Sequence, residues 1–228
     1  MRISTATTHI ETNFRQSRLL QSLMAWYLAV WVITAVNPLD RKDWVLENVL
    51  AVTLVAGLVL SYRRFPLSDL SYLLITLFLT LHAIGAHYTY SEVPLGYWLK
   101  DWGHFSRNHF DRVVHFCFGL LMAYPVREVF LRVASTRGFW AYYLPLDVTL
   151  AFSAIYEIIE MLVAVVIAPS AGDAYLGTQG DIWDAQKDMA LAGCGALICM
   201  LITALGHRLR GRQPVLLAGT TSVLRSRE

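Results

Sequence analysis

Three short clusters of ionisable residues stand out because each repeats at helical spacing. Asp111 and His115 are four apart, Glu157 and Glu160 three apart, and Asp181, Asp184 and Asp188 follow at intervals of three and four. Residues spaced this way on an α-helix share one face. Imidazole and carboxylate sets on facing helices are how helical bundles build metal sites. A mixed nitrogen and oxygen donor set suits Zn²⁺, Mn²⁺ or Fe²⁺ better than Ca²⁺. Asp111, His115, Asp184 and Asp188 are therefore the expected ligands of a divalent metal, with His82 as a further donor. Glu157 and Glu160 are the expected catalytic pair, and Arg112, Asp181 and Gln186 are expected to meet a substrate. In an enzyme, such a metal would activate water for hydrolysis.

Plainer roles exist for the same residues. Asp111 and Arg112 are neighbours that can pair at a helix mouth, and Asp184 and Lys187 can pair at i,i+3. Aspartates in a first helical turn favour the macrodipole. Glu157 can be a buried carboxyl, protonated or paired with Arg112. His104 and His109 fall in a loop, where histidines are mostly solvated. Other chemistry is absent from the chain: no Gly-x-Ser-x-Gly, phosphate-binding loop or Gly-x-Gly-x-x-Gly occurs. Cys117, Cys194 and Cys199 lie in apolar stretches and read as packing residues rather than a disulfide framework.

What must position these groups is a membrane bundle. The chain has 228 residues, 56% hydrophobic and only 16% charged, with a mean hydropathy of +0.46. A soluble domain carries about 25% charged residues. The net charge of +2 and the lack of a basic patch interleaved with aromatics exclude a nucleic-acid partner. A span needs about 20 mostly apolar residues to cross the hydrocarbon. Six candidates meet this, at about 19–36, 44–62, 70–87, 111–126, 142–168 and 189–206. The expectation is an all-α polytopic bundle in a membrane domain of residues 19–207, with a short segment 1–18 before it and a basic tail 208–228 after it.

The first apolar run is too long for a signal h-region and lacks a small-x-small site, so it reads as a retained helix. Asn37-Pro38, Phe65-Pro66 and Pro169-Ser170-Ala171-Gly172 mark turns. The long loop from 88 to 110 has room for a short interfacial helix, and the tryptophans fall where an aromatic belt belongs. Gly193, Gly195, Ala192 and Ala196 read as close helix packing. No internal repeat favours an inverted-repeat transporter.

Six spans put both termini on one side. Thirteen of the nineteen Lys and Arg residues fall on that side, so the positive-inside rule predicts cytoplasmic termini. Asp111, Asp181, Asp184 and Asp188 then lie toward the extracytoplasmic face, with Glu157 about 16 Å deep in the bilayer. An ionisable group at that depth costs about 3 kcal/mol or more, and points to function.

Four segments carry a resemblance. Pro38-Leu39-Asp40-Arg41-Lys42-Asp43-Trp44, Asp111-Arg112-Val113-Val114-His115-Phe116-Cys117-Phe118-Gly119, Tyr156-Glu157-Ile158-Ile159-Glu160, and the run from Gly177 to Met189 resemble the YjdF-like family of bacterial inner-membrane proteins, over residues 20 to 207. The resemblance implies a multispanning inner-membrane protein whose biochemical role is not established. The order of the acidic motifs is also similar, more loosely, to VanZ-type envelope proteins, which are linked to glycopeptide or lipopeptide antibiotic susceptibility. Three functions compete on this evidence: a polar site for an envelope lipid or its head group, with or without metal-dependent hydrolysis; a proton-coupled transporter relaying through Glu157 and Glu160; and a non-catalytic assembly protein whose polar cluster fixes helix packing.

Overall fold

The computed structural model describes residues 14, 17–167, 178–209 and 211. Among these, seven helices form and no strand does. They are α1 (Arg18–Ala35), α2 (Arg41–Ser61), α3 (Asp69–His87), α4 (Pro94–Gly103), α5 (Phe110–Val133), α6 (Trp140–Ile167) and α7 (Asp184–Leu209). All but α4 are long and apolar enough to cross a bilayer. Lipid cannot hydrogen-bond a bare backbone, so each span must satisfy its own amides, and a helix does so.

Several helices outrun their apolar stretches. α2 starts at Arg41, where the Asp40 carboxylate accepts hydrogen bonds from the amides of Lys42 and Asp43 and caps the first turn. α5 continues to Val133 and α7 begins at Asp184. Hydropathy falls at the charged ends, but the hydrogen-bond ladder runs on. The turn expected at 169–172, most of the tail and most of the N-terminal segment lie outside the described residues.

α5 and α7 are the most closely packed pair, and small residues are the reason. A Cβ on Gly119 would sit 1.8 Å from the Ala192 carbonyl oxygen, and one on Gly195 would sit 2.1 Å from that of Phe116. Ala192 and Ala196 are fully buried in the same seam. Gly193 is different: its nearest neighbour is Leu150 of α6, at an ordinary 3.5 Å. α3 packs on α5 and carries α1 on its other side, while α2 touches mainly α3. Trp31 of α1 donates to the Asn48 side chain of α2 at 2.6 Å, which joins the two more lightly held spans.

Alternation of the spans gathers the start of α2, the end of α3, the start of α5, the end of α6 and the start of α7 at one end of the bundle. α4 belongs to that end too, as the expected short helix in the 88–110 loop. Trp98 and Trp102 stack on its outer face, with Trp102 75% exposed.

Candidate functional site

The seam between α5 and α7 sets the geometry. Gly119 lies one turn below His115, and Ala192 one turn below Asp188. Their close approach brings the two side chains above them face to face. Asp111, His115 and Asp188 each present a ligand atom within 4.8 Å of the other two. From α6, Glu157 adds Oε1 at 3.4 Å from His115 Nε2, and Asp111 Oδ1 is 3.6 Å from the same nitrogen. Asp188 is only 2% exposed. Among the described residues Asp188 Oδ1 and Glu157 Oε1 have no hydrogen-bond partner, although both atoms are buried. A buried carboxylate oxygen without a donor is costly, so the cluster has the form of a site with room for a cation.

Asp184 goes elsewhere. Its two oxygens meet Arg107 in a fork, at 2.5 and 3.1 Å, and Arg112 lies 3.2 Å from Oδ1. Arg112 also donates to Asp181 at 2.5 Å, and Lys187 pairs with Asp181 at 2.6 Å. Asp184 therefore anchors a salt-bridge lattice over the mouth of the cluster, not the cluster itself. Lys187 pairs with Asp181 rather than with Asp184, and Glu157 faces His115 rather than Arg112. The Lys187 ammonium, the Trp183 amide and Arg112 hold the Asp181 carboxyl well below the usual carboxylate range. His109 lies against Arg112, and burial followed by the charges of Arg112 and Arg107 lowers its pKa. Gln186 is exposed on α7, two residues from both Asp184 and Asp188, and so on another face.

His82 is also placed apart from the cluster of Asp111, His115 and Asp188. Its Nε2–H donates to the Glu47 carbonyl at 3.1 Å, and Nδ1 accepts from the Tyr90 hydroxyl at 2.6 Å. Both ring nitrogens are thereby used. Tyr90 reaches back because Thr89 and Tyr90 turn with φ of 50° and 54°, and because Gly85 leaves space for its ring. Left-handed backbone at two successive non-glycine residues is strained, and the buried Tyr90–His82 bond is what it secures. Burial, with Glu47, Asp111 and Glu160 nearby, raises the Tyr90 phenol well above its ordinary value and keeps it a donor.

A second polar group lies behind the first. Tyr156 donates to Glu47 at 2.5 Å, and Glu160 follows Tyr156 one turn on along α6. Glu47, Tyr90, Tyr156 and Arg107 are site residues that sequence spacing did not single out. Arg107 had one signal: an end of the bundle so rich in acids needs cations, and few lie there. Tyr90 had none, because its place depends on a turn conformation.

Next to the cluster is a cavity of 440 Å³. Asp111, His115, Tyr90, His82 and Tyr156 form its polar end; Leu50, Leu54, Phe78, Phe118, Met122 and Phe152 are among its apolar lining.

The fold and site can now be set beside known proteins. A family described as "Predicted membrane protein (DUF2238)" matches residues 19–209. The chain is 37% identical to the "Inner membrane protein YjdF" of Escherichia coli (strain K12) over 179 residues, which cover 78% of this chain and 85% of that protein. No solved structure matches. Six apolar spans, a family match that takes in all of them and this inner-membrane relative agree: the chain belongs to the DUF2238 family and is a multi-pass inner-membrane protein.

Proposed function

We propose that the protein binds a divalent transition metal through Asp111, His115 and Asp188, and uses it on the head group of an envelope lipid. The observation that carries this reading is the pair of unpartnered buried oxygens, Asp188 Oδ1 and Glu157 Oε1, beside His115. Three protein ligands with open positions are the pattern of a catalytic rather than a structural site. A metal held by these residues would supply an activated water. Glu157 would take that water's proton as the oxygen adds to an ester or phosphoester, and return it to the departing oxygen. Arg112 and Asp181 stand at the mouth, where a head group would arrive, and Glu160 backs Glu157.

The reading places the cluster at the extracytoplasmic face and both termini in the cytoplasm. The excess of Lys and Arg at the opposite end supports it. Elemental analysis of purified protein tests the metal. The expected result is about one equivalent of Zn, Mn or Fe per chain, lost in Asp188→Asn and His115→Ala. Wild-type protein that holds none, and takes up none from solution, would sink the proposal.

The Tyr156–Glu47 hydrogen bond, with Glu157 and Glu160 following Tyr156 on α6, favours a second reading, proton-coupled transport. It requires solute flux in proteoliposomes that a pH gradient drives and Glu160→Gln abolishes.

A further inference from the structure

The 440 Å³ cavity falls within the range of about 300–1,000 Å³ typical of ligand pockets. Its walls come from α2, α3, α5 and α6. α2 and α6 line it with Leu50, Leu54, Phe152 and Ile159; the Tyr156–Glu47 hydrogen bond joins these two helices at the polar end of the cavity, and otherwise their backbones stay apart. Both are membrane spans, and Leu50 and Phe152 are exposed at their outer faces. The medium at the gap between α2 and α6 is therefore hydrocarbon. Along α6 the lining runs from Thr149 to Ile159, about 15 Å at the helical rise. Along α5 it runs further, from Asp111 to Val126, about 22 Å at the same rise, long enough for one extended acyl chain within the ~30 Å of bilayer hydrocarbon. The polar end of the cavity is formed by Asp111 and His115 of the metal cluster.

From this geometry we infer that the cavity takes one acyl chain of a bilayer lipid, entering sideways between α2 and α6, with the lipid's head group at Asp111 and His115. The inference rests on the reading of that cluster as the reacting site and names its substrate class: a lipid drawn from the membrane, not a soluble ester. A soluble substrate would need a polar path, whereas the long wall here is mostly apolar and is interrupted only by the hydroxyls of Thr53, Thr149 and Ser153. Lateral entry also explains why α2 is held chiefly by α3 and leaves its other flank open.

The test is native mass spectrometry of detergent-purified protein with dipalmitoyl phosphatidylglycerol added, with metal content measured on the same samples. Wild type is expected to retain one lipid after activation strips the micelle. Ala51→Phe, which fills the buried middle of the cavity, should cut retention about tenfold while metal content is unchanged. Thr53→Trp, at the cavity wall on the same helix, serves if Ala51→Phe fails to fold. Leu60→Phe, exposed on α2 and outside the cavity, should retain the lipid like wild type. Folded cavity variants that keep the lipid, or wild type that retains none, overturn the inference. Lipid retention without metal would leave the cavity standing and remove the metal reading, so the two failures are distinguishable.

Discussion

Glu157 on α6 and His115 on α5 approach to 3.4 Å, carboxylate oxygen to imidazole nitrogen, although 42 residues separate them in the chain. Asp188 of α7 brings a carboxylate oxygen within 4.8 Å of a nitrogen of the same imidazole. Three spans thus deliver groups to one point, α5 both Asp111 and His115, beside a lattice of arginines and aspartates.

The close seam between α5 and α7 gives the first expectation. Gly119→Ala places a methyl 1.8 Å from the Ala192 carbonyl oxygen, and backbone cannot yield as a flexible side chain does. A loss of about 1–3 kcal/mol is expected from overpacking, read as a lower melting temperature in detergent. Metal content should fall as well, because the seam sets the His115–Asp188 distance. An unchanged melt would show that the helices are further apart.

Removing the arginine fork should cost more. Arg107→Gln leaves the buried Asp184 without its bidentate partner. Breaking one side of a buried pair costs about 3–5 kcal/mol. The double variant with Asp184→Asn should recover much of that loss in thermal denaturation. If the two losses simply add, the pair is not coupled.

Tyr90→Phe removes the donor to His82 Nδ1 and leaves a buried acceptor unpaired. The expected cost is about 1–3 kcal/mol, again by thermal melting. Metal content should stay at the wild-type level, since His82 is not one of the Asp111, His115 and Asp188 cluster.

Asp181 supplies a pH dependence. Its folded-state pKa is depressed, first by Lys187, so its contribution is fully present above the unfolded value of 3.8. As pH falls below that value the unfolded chain binds the proton first, and the contribution fades toward the folded pKa. Melting temperature should therefore drop from pH 5 to pH 3 (about two units around the unfolded carboxylate) more steeply in wild type than in Asp181→Asn. Parallel slopes would show that the Asp181 pairs add nothing.

The amino-acid sequence determined the solvent, the number of spans and the stripes of acids, because each follows from local rules. Runs of apolar residues must become helices in lipid, and a spacing of three or four fixes which side chains share a face. Even the role of Ala192 and Gly195 was legible, since small residues let helices approach. Tertiary structure alone decided which aspartate does what. Asp184 and Asp188 stand on one stripe a turn apart, and nothing local separates them. Asp184 lies level with Arg107, whose loop is held to Thr178 and Gln179 across the chain, so its charge is neutralised there. Asp188 lies one turn deeper, near His115, where among the described residues it forms no ion pair with an arginine. A difference of one helical turn, about 5.4 Å, is enough to separate an ion-paired carboxylate from one left with an unpartnered oxygen.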